Sequence, residues 1–502
     1  MDMRLRGALA GLVAGGVALA VGELVAGIGS TQRAPVIAVG DMVIDAVPRP
    51  VKDFAIDTFG TNDKVALLVG IYTVIALIAV ALGVASTRRW TTGAAGIAAF
   101  GAVGVVAVVQ QGTDLGAAEV LAPVLGAAAG IAVLWLLLRS GRELPRHAGE
   151  LPPRTESRRA FLLQAGGAVA FAGVAAALGR ALQGRVSAAA SRSAVVLPGA
   201  RRPLPAVPAG ADFGVEGLSP FVTPNDHFYR IDVNLVVPQV EAETWSLKVT
   251  GRVERELEIT YAELLDMEMV EADVTLACVS NEVGGRLVGN ARWLGTPLLA
   301  ILERAGVDAA ADQVVARAVD GFTVGFPVAA LRDGRTALVA VGMNGEPLPI
   351  RHGFPARLVI AGLYGYVSAT KWLGEIELTR FEDYDPYWIK RGWAVEAPIK
   401  TSARIDTAKD GVVAGVAWAP TLGIERVELR IDDGDWVECE LADEVSKDTW
   451  RQWRHRWSDA TPGRHSLTVR ATDGSGMTQR EERVAPFPDG AEGWHTVNVT
   501  VD

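Results

Sequence analysis

The residues best suited to chemistry gather around one cysteine. Leu276-Ala277-Cys278-Val279-Ser280-Asn281-Glu282-Val283-Gly284-Gly285 follows the β-type run Asp273-Val274-Thr275-Leu276 and closes on two glycines. Glycines there allow positive φ and close approach of the backbone to a bound group. Cys278 is one of two cysteines in 502 residues, the other being Cys439, so a disulfide framework does not account for it. A lone thiol at a strand-to-loop corner has three readings: a small buried hydrophobe, a nucleophile, or a soft thiolate metal ligand. The local residues leave all three open.

Other groups able to bind a ligand flank this loop in order. Upstream lies Thr223-Pro224-Asn225-Asp226-His227-Phe228-Tyr229-Arg230. Downstream come Ala291-Arg292-Trp293-Leu294-Gly295-Thr296-Pro297-Leu298, Asp320-Gly321-Phe322-Thr323 and Met343-Asn344-Gly345-Glu346-Pro347-Leu348-Pro349. The series ends in Arg351-His352-Gly353-Phe354-Pro355-Ala356-Arg357-Leu358-Val359 and Leu363-Tyr364-Gly365-Tyr366 with Lys371-Trp372. Arg357 stands in an apolar setting, and a buried arginine calls for an anion.

This ordered set resembles the molybdopterin-binding domain of the sulfite oxidase family. It is similar above all to the bacterial membrane-anchored or exported branch, which includes the catalytic subunit of periplasmic methionine-sulfoxide reductase. The resemblance implies molybdenum held by the dithiolene of one pterin, with Cys278 as the only protein ligand. It implies cofactor contacts from Asn225, Phe228, Tyr229, Arg230, Asp320, His352, Arg357, Ser368 and Lys371. The implied reaction is two-electron oxo-atom transfer on a small molecule, with the cofactor carrying the chemistry and the protein orienting it. Electrons are then exchanged with a separate partner.

The sequence departs from the family's sulfite-oxidising pattern in one respect. That pattern places a Gly-Asn-Arg-Arg type run after the ligand cysteine and another arginine in the following β-domain. Here Val279-Ser280-Asn281-Glu282-Val283 and Trp418-Ala419-Pro420-Thr421-Leu422-Gly423 occupy those places. An oxyanion would meet few positive donors and one acid, an unfavourable field. A neutral S-oxide or related substrate is expected rather than sulfite. The competing readings are a metal-free binding or adhesion protein, a sulfite oxidase with an atypical site, and a transporter with an appended domain. Cys278 and Arg357 are both present, against the first. The third needs paired charges inside the spans, where only Glu23 is counted.

The elements that must position these residues begin with a membrane region. Half the residues are hydrophobic and mean hydropathy is +0.24, the excess lying almost entirely before residue 185. Five segments reach the roughly 20 residues a bilayer requires: Leu5–Ile28, Val65–Ala85, Thr92–Val109, Leu115–Leu138 and Phe161–Leu182. Small residues recur at four-residue spacing at Gly7, Gly11 and Gly15 and again at Gly126 and Gly130, a pattern that permits close helix approach. Arg4, Arg6, Arg88, Arg89, Arg139, Arg142, Arg146, Arg154, Arg158 and Arg159 fall in alternate loops and place those loops in the cytoplasm. The loop 30–64, with Asp41, Asp45, Asp53, Asp57 and Asp63, is then outside, as is everything after residue 185. Ser157-Arg158-Arg159-Ala160-Phe161-Leu162 is similar to a twin-arginine export signal, as suits a domain that acquires its cofactor before crossing. None of the six histidines (His147, His227, His352, His455, His465, His495) lies in a span, so no haem is expected. A net charge of −10, and no Lys/Arg stripe interleaved with aromatics in the soluble half, argue against nucleic acid.

Four regions follow: 1–185 transmembrane, 186–217 a Pro-rich linker, 218–388 an α+β molybdopterin domain, and 389–502 a β-sandwich. Short alternating runs at Val412–Trp418, Ile424–Ile431, Trp436–Leu441, His465–Ala471 and Thr496–Val501 carry the last. The resemblance makes it immunoglobulin-like and implies a homodimer through it. Asp432-Asp433-Gly434-Asp435 reads as a hairpin turn and Cys439 as a core residue.

Replacing Arg158 and Arg159 together by lysine keeps the positive charge and removes only export recognition. The soluble half is expected to become inaccessible to protease added from the outer side; unchanged cleavage would make the two arginines topological anchors.

Overall fold

A computed structural model of the chain describes residues 2–28, 34–47, 51, 58, 63–110, 117–139, 154–183, 188–458 and 460–501. Arg142, Arg146, His147, Asp53 and Asp57 lie outside the described residues. Two compact units result: Met1–Ser187 with Asp232–Val237, and Ala188–Ile231 with Pro238–Asp502.

The first unit holds five helices long and apolar enough to cross a membrane: Met3–Ala26, Lys64–Ser86, Trp90–Gln110, Ala117–Arg139 and Arg158–Leu182. Glycine makes their packing close. A Cβ added at Gly11 would overlap the Ala79 carbonyl, and one at Gly83 the Gly7 carbonyl. A Cβ at Gly126 would lie 2.5 Å from the Ala18 carbonyl oxygen, and one at Gly130 2.9 Å from the Ala18 Cβ. Both small-residue series therefore meet backbone of a neighbouring helix, with Met3–Ala26 as the shared partner.

Two expectations are corrected in this unit. The stretch read as an outer loop contains a helix, Pro35–Ala46. Proline in its first turn favours initiation, and Ala38 packs with Ala107 and Val108. Glu23 is also not the only charge in the spans. Glu119 is buried in Ala117–Arg139, and Arg180 lies within electrostatic reach of Glu23. All three occupy the first or last turn of their helices, where a polar end can reach the membrane boundary.

The second unit starts with a segment that is not a free spacer. Ala188–Ala194 is helical, the Arg192 Nε donates to Leu348 O at 2.8 Å, and Val195, Leu197 and Val207 pack on the main core. The proline-rich composition disfavours helix and sheet but leaves apolar side chains that bury readily.

Two five-stranded sheets form the α+β body. One runs Val270–Ala277, Val288–Pro297, Ala337–Met343, Glu346–Pro347, with Arg357–Ile360 also paired to Ala337–Met343. The other runs Leu257–Thr260, Ser246–Gly251, Leu373–Thr379, Gln313–Ala318, Thr323–Pro327. Its Ser246–Gly251 and Leu373–Thr379 pair in parallel. Near-continuous apolar runs such as Ala337-Leu338-Val339-Ala340-Val341 are buried on both faces, and the two sheets share one core. Helix Tyr261–Asp266 opens with a Thr260–Glu263 capping box.

Beyond residue 400 two four-stranded sheets face each other. One contains Ser402–Lys409, Val412–Trp418, Arg451–Arg456 and Glu440–Leu441; the other Trp436–Glu438, Ile424–Ile431, Gly463–Asp473 and His495–Val501. Val413, Ala417 and Trp453 meet Val427, Leu429, Leu467 and Val469 in a separate core. The expected run Trp436–Leu441 splits between the two sheets, and buried Cys439 sits at the crossing. Asp432 closes a hairpin turn, its Oδ1 accepting the Ser466 N–H at 2.8 Å. Arginine and tryptophan do interleave here: Arg470 lies 4.1 Å from the Trp436 ring centre, and Arg430 4.9 Å. Strand pairing assembles that cluster from distant positions, so no local stripe announces it. Glu428 pairs with Arg470 at 2.9 Å, which keeps it from being a basic face.

Gly83→Leu is expected to lower the stability of the detergent-solubilised membrane unit by about 1–3 kcal/mol or more, the range for forced overpacking. Gly70→Leu, whose Cβ meets nothing within 4 Å, should leave the melting temperature unchanged. Equal effects would show that the close Gly7–Gly11–Gly83 approach is unimportant.

Candidate functional site

Cys278 leaves the end of strand Val270–Ala277 and is 9% exposed. Its N–H donates to Leu287 O at 2.9 Å and its carbonyl accepts from Asn281 N–H at 3.0 Å, so the loop turns directly under it. Asn281 Oδ1 accepts the Leu287 N–H at 2.8 Å and ties the loop to the returning strand. Burial pushes the Cys278 thiol up, and hydrogen bonds from Ser280 draw it partway back. Without a cation the group is a neutral thiol; a metal would remove its proton outright.

The strand is held from outside by the C-terminal sheets. Thr275 N–H donates to Asp448 O at 2.9 Å, and Trp450 N–H donates to the Thr275 hydroxyl at 2.7 Å. Trp450 Nε1–H reaches Phe221 O at 2.8 Å. Cys278 is thus placed both by its own sheet and by the segment Asp448–Trp450.

Beside it stands a cation without a carboxylate. Arg357, 5% exposed, donates to Leu358 O at 3.3 Å and His352 O at 3.1 Å. Its guanidinium lies over the Trp293 ring, 5.0 Å from the centre. Among the described residues no acid pairs with it, and burial lowers its pKa to about 10. Gly353, at φ +108°, allows the turn: a Cβ there would lie 3.0 Å from the Lys371 Cα and 3.1 Å from the Arg357 Cβ.

His352 donates Nε2–H to Asn225 O at 2.9 Å, because a carbonyl can only accept; the ring is then the neutral Nε2–H tautomer. Burial first, and then the charge of Arg357, lower its pKa to about 4, with Arg351 and Arg230 adding to the effect. Arg351 is paired with Asp226 at 3.1 Å, so the buried charge beside the imidazole is that of Arg357. Phe228 stacks on Tyr229 at 5.3 Å and meets Trp293 and His352 edge-on at 5.8 and 5.7 Å. Burial, then the proximity of Cys278, raise the Tyr229 phenol. Asn225 donates to Glu346 and Met343 O and accepts from Asn344, so its side chain braces the segment. Lys371 Nζ donates to Ile231 O at 3.0 Å and lies 5.1 Å from the Trp372 ring centre.

The structure therefore gathers Asn225, Phe228, Tyr229, His352 and Arg357 beside Cys278, with Arg230 in electrostatic reach. Two other expected residues have local roles. Asp320 Oδ1 accepts the Phe322 N–H at 2.9 Å in a hairpin turn. Ser368 is fully buried and bonds back to Leu363 O and Tyr364 O. Short polar residues favour such turns and back-bonds, and nothing local distinguishes these uses from ligand contact.

These residues fit an anionic, molybdenum-bearing pterin. Arg357 is a desolvated cation needing an anion, Thr370 Oγ1 is buried without a partner, and Cys278 supplies a thiol, a soft metal donor. Arg357 and His352 would hold the acidic end, and Cys278 the metal.

Sequence reading missed a second set of groups. A narrow cleft beside Cys278 is bordered by Asn281, Glu282, Tyr364, Ser402, Trp418 and Gln479. Arg404, 5% exposed, donates to Asp406 at 2.6 Å, Gly285 O at 2.6 Å and Ser219 Oγ at 3.0 Å. Lys400 pairs with Glu492 at 2.6 Å and Asp489 at 3.1 Å. A side chain at Gly284 would run into His495. The alternation Arg404-x-Asp406 was the only local signal, since two residues apart on a strand share a face.

Arg357→Met is expected to release the cofactor and yet stabilise the cofactor-free protein by on the order of 1 kcal/mol or more, because an uncompensated buried charge is removed. Metal analysis and denaturant unfolding check the two signs; a destabilised apo-protein would mean the charge is already compensated.

Comparison with known proteins bears on this geometry. The family profile described as "Oxidoreductase molybdopterin binding domain" matches residues 234–388. Human mitochondrial sulfite oxidase is 26% identical over 342 residues, covering 56% of this chain and 62% of that protein. The chain thus spans less than two thirds of that relative's length. The uncharacterized oxidoreductase YuiH of Bacillus subtilis is 34% identical over 158 residues, covering 31% of this chain and 76% of that protein. The solved structure of the sulfane dehydrogenase SoxCD from Paracoccus pantotrophus aligns at TM-score 0.49 and 21% identity, covering 57% of this chain and 82% of that one.

Proposed function

The chain belongs to the sulfite oxidase family of molybdopterin-dependent oxidoreductases, and on that premise we propose that it transfers oxygen to or from a neutral S-oxide-type substrate. The observation that carries the reading is the charge of the cleft beside Cys278. Arg404 is matched by Asp406, and Lys400 by Asp489 and Glu492. Glu282 remains at the border. A site built for sulfite or another oxyanion needs uncompensated donors; this cleft favours a neutral molecule.

When bound, the molybdenum cofactor supplies two-electron oxygen-atom exchange. The protein's own residues divide the remaining work. Cys278 holds the metal through its thiolate, positioned by the Thr275 bonds to Asp448 and Trp450. Arg357 neutralises the anionic end, and neutral His352 keeps the recess from accumulating a further charge. Trp418 and Glu282 set the size and polarity of the cleft. In the reducing direction an S-oxide takes up two electrons and two protons and leaves as sulfide and water, so a separate reductant must supply the electrons.

The chain is further read as a multi-pass membrane protein with its molybdopterin domain on the extracytoplasmic side. The positive residues on alternate loops and the Arg158-Arg159 motif support that orientation. Regions 1–185, 186–217, 218–388 and 389–502 are taken as its parts, with the last immunoglobulin-like and open to homodimer formation. No haem is assigned to it.

Purified holoenzyme is expected to contain stoichiometric molybdenum and to reduce dimethyl sulfoxide with a viologen donor far faster than it oxidises sulfite. Cys278→Ser should abolish that turnover in a folded protein, since hydroxyl is a far poorer metal donor than thiolate, while Cys439→Ser stays active. Full turnover by the serine variant would overturn the ligand assignment, and faster sulfite turnover the substrate assignment.

A further inference from the structure

We infer that Tyr364 donates a hydrogen bond from its phenol to the oxygen carried by the substrate, a role that rests on the S-oxide reading above and specifies its site. The residue is placed for this by its backbone. Tyr364 N–H donates to Ala397 O at 2.9 Å, and its own carbonyl accepts from Val367 N–H at 3.1 Å and the Ser368 hydroxyl at 3.0 Å. Both main-chain groups are committed, so the ring has little freedom. It is 5% exposed and lines the cleft together with Ala277 and Asn281, which lie before and after Cys278 in the chain.

The hydroxyl is only half satisfied. Its oxygen accepts the Lys400 N–H at 3.4 Å, a long bond, and among the described residues its proton has no acceptor. Two other polar groups of the cleft wall are directed elsewhere: Gln479 Nε2 donates to Gly493 O at 3.3 Å, and Ser402 Oγ donates to Lys400 O at 3.2 Å. Tyr364 offers an uncommitted donor in the cleft wall near the cysteine loop. Gly490 keeps the space open: at φ +106°, an added Cβ would lie 2.5 Å from the hydroxyl.

Chemistry agrees with donation rather than proton abstraction. A phenol is protonated throughout the physiological range and cannot serve as a base there. A neutral donor suits an S-oxide, whose oxygen carries partial negative charge, and adds no charge to the cleft. In this role no bond to hydrogen is broken.

The test compares full-length holoenzyme with Tyr364→Phe, which keeps the ring and removes only the hydroxyl. Molybdenum content should be equal in both. With dimethyl sulfoxide, kcat/KM should fall roughly 10- to 100-fold, the range for losing a hydrogen bond to an oxygen that gains charge. By titration calorimetry the variant should bind dimethyl sulfone several-fold more weakly, yet bind dimethyl sulfide, which has no oxygen, as the parent does. Equal weakening for sulfone and sulfide would make Tyr364 a packing residue and overturn the inference, as would unchanged kcat/KM. A parent enzyme that oxidises sulfite but does not reduce dimethyl sulfoxide would overturn the S-oxide reading alone; Tyr364 would stand if the substitution slowed sulfite turnover by the same range. A parent that turns over neither would remove both.

Discussion

A positive charge buried without a partner is the constraint on which the cofactor half of this molecule depends. Arg357 sits at the start of a strand in the main core, its guanidinium over Trp293 and its donors reaching two main-chain carbonyls. Such a group is costly to desolvate unless an anion joins it. The surrounding features accommodate that demand. Gly353 permits the turn that brings His352 alongside, and His352 remains neutral because a second cation there would raise the potential further. The Phe228–Tyr229–Trp293 aromatic group lines the recess with atoms that need no water.

The same principle, worked in the opposite direction, shapes the cleft on the other side of the cysteine loop. There Arg404 and Lys400 are both matched. Arg404 binds Asp406 and the Gly285 carbonyl, and Lys400 sits between two acids. Near this one loop, Arg357 has no acid beside it among the described residues, while Arg404 and Lys400 are ion-paired. The sandwich makes this division possible, since Arg404, Lys400 and Trp418 all come from beyond residue 389. It also fixes the cysteine strand through Thr275. Reactivity and selectivity are therefore joined through the edge of one strand.

The membrane unit obeys a different constraint. Lipid offers no hydrophobic drive between helices, so contact area has to come from close approach. Gly7, Gly11 and Gly83 let backbones meet directly, and Glu23, Glu119 and Arg180 lie in the end turns of their helices.

Much of this was legible in the amino-acid sequence because it is written in local patterns. Apolar length marked all five spans, since crossing a bilayer depends on consecutive residues. Period-two alternation located Val412–Trp418 and Ile424–Ile431. The ordered motifs from Asn225 to Lys371 marked Cys278, His352 and Arg357. Other features are set by tertiary structure because they depend on what lies across a sheet. Asp320 accepts the Phe322 N–H and Ser368 bonds to Leu363 O and Tyr364 O, contacts that form only once the chain has turned. Pro35–Ala46 was obscured by the acids around it, and Arg192–Val207 packs where proline content reads as a spacer. Arg404 and Lys400 have no motif, and Tyr364 lies in one that says nothing of its role: their place arises where residues distant in the chain meet around one cleft. Sequence alone determined which groups were available and the order in which they occur. Folding decided which charges are compensated, because compensation depends on distance in space rather than along the chain.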